Sequence, residues 1–389
     1  MIAMRKVFYS HQCIEQDDID SVLNVLKSDF LTQGPKVEEF EQSLADYCGA
    51  RFSVVYSSGT AALCAAYFAA GLGGNDEIIT SPMTFLATSN AALSLGAKPV
   101  FVDIEPDTGN IEPDLIETAI TDRTKLIVPM HFAGHPVQLE KIAQIARRHR
   151  LLVVEDACHA LGARYENAII GDCTYSDMAV FSFHPVKSIA TGEGGAVLTN
   201  NKEFRNKLLM FRHHGVTKDR RIFRNKSDMV GDWYYEMQLL GYNYRLTDIH
   251  CALGISQLAK LGRFIQRRRE IVEAYAQAFE NNTSFDTPVE KSYAKSAWHL
   301  YPIRLKDKYI TEKAKIFIKL RERGLGVQVH YIPIHLQPYY QQLGYKRALC
   351  PNAEDFYERE ISIPLYQSMS TEDVDYVIRN TLDIFERFE

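Results

Sequence analysis

Lys187 stands in FSFHPVKSIATGEGG (181 to 195), where a strand-like run gives way to a Gly-rich turn. An amine displayed there can form a Schiff base if its surroundings lower its pKa; position alone is also compatible with an ordinary solvated lysine. Asp156 ends the apolar run LLVVED (151 to 156). A carboxylate at the mouth of a buried strand is costly without a cationic partner. A protonated pyridine nitrogen is one such partner, and a cap for a following helix is the equally available structural reading. Ser57, Ser58, Gly59 and Thr60 follow the run FSVVY and open an apolar helical pattern. Their N–H groups and hydroxyls can ring a phosphate at a helix N-terminus, or simply cap the helix.

Each feature is common by itself. An anion cradle, a strand-end Asp and a strand-end Lys, in that chain order, together supply what pyridoxal 5'-phosphate (PLP) needs: partners for its phosphate, its ring nitrogen and its aldehyde.

The elements that must position these residues are legible from pattern. FSVVY (52 to 56), EIITSP (77 to 82), PVFVDI (99 to 104), KLIVPMHF (125 to 132), LLVVEDA (151 to 157), MAVFSFH (178 to 184) and GAVLTN (195 to 200) alternate with helical stretches, the signature of an α/β fold. Their near-continuous apolar character predicts a mainly parallel sheet with helices on both faces, and ligands belong outside the carboxyl ends of such strands. A helical stretch from Leu246 to about Glu280 leads into a smaller α+β region. There HLYPIRL (299 to 305) and VQVHYIPI (327 to 334) read as strands, and 311 to 323 and 370 to 387 as amphipathic helices. The expected division is a large domain over 1–250, including the N-terminal segment, and a small C-terminal domain over 251–389. Residues 218 to 233 read as an irregular excursion.

Composition narrows the function classes. The 389 residues carry 44 basic and 49 acidic side chains, a formal net charge of -5, with no whole-surface attraction for nucleic acid or anionic lipid. Small-molecule partners are expected. Seven cysteines without CxxC spacing fit reduced thiols, and no apolar run is long enough to span a membrane, so a cytoplasmic protein is expected. No metal site is expected: His213 and His214 are adjacent and diverge, and no HExxH occurs. A nicotinamide enzyme is disfavoured because no GxGxxG follows the first strand.

Over nearly its whole length the chain resembles the DegT/DnrJ/EryC1/StrS sugar-nucleotide aminotransferases. The landmarks are FLTQGPKVEEFE (30 to 41), SSGTAAL (57 to 63), SPMTFLATSNA (81 to 91), VVEDACHALGA (153 to 163), FSFHPVKSIATGEGGAVLTN (181 to 200), FRHHG (211 to 215) and GYNYRLTDIHCALG (241 to 254). The resemblance implies the fold-type I, aspartate-aminotransferase-like architecture, with Lys187 as catalytic residue and cofactor anchor. It implies phosphate contacts from Ser58, Gly59, Thr60, Ala61 and Ser182, and pairing of Asp156 with the pyridine nitrogen. His159 falls where the family reaches the ring 3′-oxygen, though many relatives carry Gln there. Phe85 matches the aromatic that stacks on the ring; a buried core Phe is the structural alternative. Asn243 would reach the cofactor of a neighbouring subunit, which implies a homodimer with shared active sites.

YSHQCIEQDDI (9 to 19), QVHYIPIHLQPYY (328 to 340) and AEDFYEREISIPLY (353 to 366) are most similar to members that aminate C4 of a UDP-linked 4-keto-6-deoxy-N-acetylhexosamine in pseudaminic acid biosynthesis. That implies glutamate as amino donor, pyridoxamine 5'-phosphate as the intermediate cofactor form, and ping-pong kinetics. Leu31, Thr32, Gln33, His184, Arg245, His330 and Tyr331 are the implied substrate contacts. His184 has a structural alternative, orienting the lysine turn, and Arg245 another, a salt bridge to Asp248. His131 and His135 also follow a strand and stay open between structure and chemistry. Three alternatives stand beside this reading: a dTDP- or GDP-linked sugar, a dehydratase relative, in which histidine replaces the lysine, and a non-enzymatic protein on the same fold.

Overall fold

The structure, a computed structural model, describes residues 5–225 and 231–387. Each of the seven runs forms a strand of one sheet: β1 (Phe52–Tyr56), β2 (Glu77–Thr80), β3 (Lys98–Phe101), β4 (Thr124–Val128), β5 (Leu152–Asp156), β6 (Met178–Ser182) and β7 (Gly195–Thr199). Their spatial order is β1-β7-β6-β5-β4-β2-β3. β7 runs antiparallel to both its neighbours and every other pairing is parallel. The runs are apolar throughout because successive side chains enter two different cores. Val55, Ile79, Ile127 and Val153 pack on one face, and Val54, Ile78, Leu126 and Val154 on the other.

Register brings the chemical residues together. Tyr56 of β1 and Ser182 of β6 both pair with Gly195, so the ends of these strands flank the start of β7. Asp156 pairs with Val180 on the adjoining strand. The helix Gly59–Ala69 then packs against the sheet through Ala62, Ala65, Ala66 and Ala69, all buried. Small side chains allow that close approach, which holds its first turn beside the strand ends.

The smaller core surrounds an antiparallel sheet of Phe285–Asp286, Tyr301–Leu305 and Glu360–Ile363. The helices Lys313–Glu322 and Thr371–Glu386 contribute Ile316, Leu320, Val374 and Val377 to it. The expected helical passage from Leu246 is two helices, Asp248–Ala259 and Leu261–Ala278, meeting at Lys260. Cys251 and Leu258 belong to the large core, whereas Ile271 and Tyr275 belong to the small one. The change of core thus falls inside Leu261–Ala278 rather than at 250/251. Val7 also lies in the small core, tied by its N–H to Gly324 O at 2.9 Å.

The strand expected over 327 to 334 does not form. Gln328 makes one antiparallel bridge to Ser362. After it the His330 N–H turns to the Glu360 carboxylate, the Tyr331 N–H to Met83 Sδ and the Ile334 N–H to Pro82 O. Side-chain and loop acceptors take the donors a ladder requires, and this frees the segment to line a cavity. Of the excursion expected over 218 to 233, residues 226–230 lie outside the described residues. The remainder holds a short turn at Arg220–Ile222, and Val216–Thr217 pairing with Glu236–Met237 brackets the segment. No helix among the described residues is long and apolar enough to cross a membrane.

Candidate active site

A cavity of about 490 Å³ opens at the carboxyl ends of β1, β5 and β6. At one end lies the first turn of Gly59–Ala69. Ser58 does cap this helix, its Oγ accepting from the Ala61 N–H at 3.1 Å. Ala61 is therefore buried and already satisfied, while Ser57, Ser58, Gly59 and Thr60 line the cavity with Ser182. A Cβ on Gly59 would stand 2.9 Å from Ser182 Cβ and 3.1 Å from its Oγ. Only glycine lets the Ser182 hydroxyl and the helix N-terminus share one anion-sized corner. Gly59→Ala is accordingly expected to weaken PLP binding about tenfold or more while leaving the far-ultraviolet circular dichroism unchanged. Cofactor titration by absorbance checks this.

Asp156 is buried at the end of β5. Its Oδ2 accepts from Thr88 Oγ1 at 2.6 Å and its Oδ1 from the Cys158 N–H at 3.2 Å. Since Thr88 donates to Asp156, it accepts from Thr84 Oγ1 at 2.7 Å. Residues 157–163 form turns and irregular backbone with no helix, so Asp156 caps none; it is a carboxylate clamped in one orientation at the cavity wall. Lys187 lies across from it on the turn closed by its own N–H to His184 O at 2.8 Å. Lys187 Nζ makes no hydrogen bond or ion pair to a described residue. Burial lowers its pKa below the ordinary lysine value, and the nearby Cys158 and Asp156 oppose that shift.

Imidazole and phenol groups form the rest of the wall. His159 is buried, with Nε2 3.1 Å from Tyr331 Oη and Nδ1 without a partner among the described residues. Its ring centroid is 4.2 Å from that of His299, whose Nδ1 is likewise unpartnered. Burial, chiefly, then the charge of Lys187, press the His159 pKa well below its ordinary value; for His299 burial is followed by the neighbouring His159 and then Lys187. Phe85 is 57% exposed at the start of the helix Leu86–Ser94 and borders the cavity; it is not core. His184 lines the cavity and also steadies the lysine turn, its Nδ1 facing the Val186 N–H at 3.5 Å.

The structure does not bring every expected residue to this cavity. Leu31, Thr32, Gln33 and Asn243 are exposed elsewhere, joined to neighbouring loops by the bridges Thr32↔Thr247 and His213↔Asn243. Arg245 does not pair with Asp248. Its Nη1 lies 2.7 Å from His213 Nδ1, and Asp248 instead accepts the N–H groups of Gly34 and Lys36 at 2.8 and 3.0 Å, capping the helix Pro35–Cys48. Spacing suggested an i, i+3 pair, but Asp248 is drawn to an orphaned helix terminus. His131 and His135 are structural: His131 Nδ1 accepts from Val137 N–H and Nε2–H donates to Glu155, while His135 Nε2 accepts from Lys291 N–H. Tyr9, Thr88, Cys158, Glu193 and His299 line the cavity without having been singled out. Thr84 and Thr88, spaced i, i+4 within SPMTFLATSNA, were the available signal for the Asp156 clamp.

An anion cradle, a fixed carboxylate and a desolvated amine in one cavity fit the phosphate, ring nitrogen and aldehyde of PLP. The chain is 41% identical over 384 residues, 98% of either protein, to the UDP-4-amino-4,6-dideoxy-N-acetyl-beta-L-altrosamine transaminase of Campylobacter jejuni subsp. jejuni serotype O:23/36. Its fold matches Helicobacter pylori PseC, an aminotransferase involved in the biosynthesis of pseudoaminic acid, with TM-score 0.91 and 37% identity, covering 98% of this chain and 100% of that one. Spr1654 from Streptococcus pneumoniae, solved in its PLP form, matches with TM-score 0.92 and 30% identity over 99% and 100% of the two chains. With the family model matched from residue 12 to residue 381, the chain belongs to the DegT/DnrJ/EryC1/StrS aminotransferase family.

Proposed function

We propose that this chain uses PLP, anchored on Lys187, to move the amino group of glutamate to the C4 keto carbon of a UDP-linked 4-keto-6-deoxy-N-acetylhexosamine. The observation that carries the transaminase reading is the meeting of Lys187, Asp156 and the Gly59–Ala69 N-terminus in one cavity. The names of the Campylobacter relative and of PseC support the sugar. Bound PLP supplies an electron sink for the bond broken at the amino-bearing carbon. Gly59, Thr60 and Ser182 hold its phosphate, and Phe85 and His159 orient its ring. Asp156, clamped by Thr88, keeps the ring nitrogen protonated. With PLP bound, Lys187 would serve as the base that takes the proton from the donor α-carbon and delivers it to the cofactor carbon on the other side of the amino nitrogen, work suited to an amine whose pKa burial has lowered. His184, His330 and Tyr331 face the sugar.

Purified enzyme converted to its pyridoxamine 5'-phosphate form should be spent in a single turnover by UDP-4-keto-6-deoxy-N-acetylhexosamines. If those sugars are inert while a dTDP- or GDP-linked keto sugar reacts, the sugar assignment fails and the transaminase stands.

Asn243, Arg245, Thr32 and Gln33 serve a partner's cavity in this reading, in a homodimer with shared sites. Their position away from the cavity of their own chain supports it, with Thr32, Gln33 and Asn243 exposed and Arg245 half-buried against His213. Mixing inactive Lys187→Ala and Asn243→Ala chains should restore about a quarter of wild-type activity, because half the dimers are mixed and each has one intact site. No restoration on subunit exchange would refute the shared site.

A further inference from the structure

We infer that Glu360 is a proton store for the active cavity, reached from it through Ser362 and His330. Glu360 begins the strand Glu360–Ile363 of the small domain and is fully buried. Its Oε2 accepts the His330 N–H at 2.7 Å, and its Oε1 accepts the Ser362 hydroxyl at 2.5 Å. Ser362 Oγ lies 2.8 Å from His330 Nδ1. The His330 ring lines the cavity, and its Nε2 has no partner among the described residues. A continuous three-group chain therefore joins a buried carboxyl to a cavity-facing imidazole.

The chain has two self-consistent arrangements that differ by one proton. In the first, Glu360 is a carboxylate, Ser362 donates to it, His330 Nδ1–H donates to Ser362, and Nε2 is bare. In the second, the Glu360 carboxyl donates to Ser362, Ser362 donates to Nδ1, and Nε2 carries the proton. A proton arriving at His330 Nε2 moves the Nδ1 proton to Ser362 and the Ser362 proton to Glu360, and His330 never becomes charged. Neutrality matters because burial and the nearby Lys187 press the His330 pKa down to about 3, so the imidazole cannot keep a proton itself. Burial raises the Glu360 pKa to about 8, against the lowering effects of Ser362, Lys313 and the His330 N–H. Both forms of Glu360 are then within reach near neutral pH.

The groups facing the relay leave it this freedom. Lys313, from the helix Lys313–Glu322, binds Tyr357 O, and Arg304, opposite Glu360 in the strand register, binds Pro106 O. Neither forms an ion pair with Glu360. Around His330 stand Lys187, the Tyr9 ring at 5.8 Å, and His159 and His299, both held neutral. The role rests on the transaminase reading for its proton: an amino donor arriving as an ammonium ion must lose one before its nitrogen can attack. That proton goes to Glu360, and the amino product leaving as ammonium takes it back.

The test is ¹⁵N NMR of ring-labelled histidines in the full-length, cofactor-loaded, substrate-free protein, with His330 assigned by loss of its signals in His330→Gln. As pH falls through about 8, the His330 proton should move from Nδ1 to Nε2 without imidazolium forming. Glu360→Gln should abolish the movement. Ser362→Ala should uncouple it while the Glu360 carboxyl still titrates in infrared difference spectra, and Ser362→Thr should restore it. Ser362→Ala should also slow the half-reaction with the amino donor roughly 10- to 100-fold. One fixed tautomer, a charged His330, a swap that survives Glu360→Gln, or an unslowed half-reaction would each overturn the inference. A tautomer swap in a protein that aminates no keto sugar would instead sink the sugar assignment and leave the relay standing.

Discussion

Lys187→Ala is expected to lose at least about 10⁴-fold in multiple-turnover rate, because covalent anchoring and positioned proton transfer both depend on this one amine. The fold should survive. Nζ has no hydrogen-bond partner among the described residues to be orphaned, so the change in unfolding free energy should stay within about 1 kcal/mol. PLP should still bind through Gly59, Thr60 and Ser182, but exhaustive borohydride reduction should no longer fix it to the chain. In wild type the label belongs on the peptide containing Lys187. Lys187→Arg should fare no better, since guanidinium neither forms the imine nor deprotonates near neutrality. Added small amines should recover part of the proton-transfer loss. Near-wild-type turnover by Lys187→Ala, or a label on another lysine, would remove the basis of the proposed mechanism.

Asp156→Asn should cost roughly 10²–10³-fold, about 3–4 kcal/mol of transition-state stabilisation, the usual scale for deleting one preorganised electrostatic partner. The near-isosteric amide can still accept from Thr88 through its one oxygen, while its NH2 faces the Cys158 N–H, so shape is kept and the charge is lost together with one acceptor. Two effects then separate. Asp156 raises the Lys187 pKa, against the larger lowering by burial. Without it the amine should lose its proton at lower pH, and the acidic limb of the rate profile should move down. The maximal rate should nevertheless fall, because a better-populated base does not replace the charge that holds the ring nitrogen protonated. A pH–rate profile of both enzymes checks the pair of effects. A lower maximum with an unmoved acidic limb would show that Asp156 does not sense Lys187, and an unchanged maximum would show that it does not tune the ring.

The folding of the seven-stranded sheet was open to reading because its information is local. Seven apolar runs, a Ser-Gly-Thr helix start after β1 and a Gly-rich turn after β6 specify strands, a cap and a loop from neighbours a few residues away. The smaller region was less transparent. Residues 327 to 334 have strand composition, yet their N–H groups are claimed by Glu360, Met83 and Pro82, which no periodicity reveals. Arg245 and Asp248 show the same limit: their spacing fits a pair, but each finds a partner far along the chain.

The sequence by itself determined which chemistry was available: an amine at 187, a carboxylate at 156 and an anion cradle at 57 to 60, each at the end of a strand where a parallel sheet puts function. Tertiary structure decided what each residue faces. Shared pairing with Gly195 sets Ser182 beside Gly59, and Thr88 locks Asp156. Tyr331 meets His159 from 172 positions away, and Glu360 stands behind His330. Such pairings depend on strand order and on the packing of the C-terminal elements against the seven-stranded sheet's loops. Strand and helix periodicities repeat every two to four residues and carry no record of either.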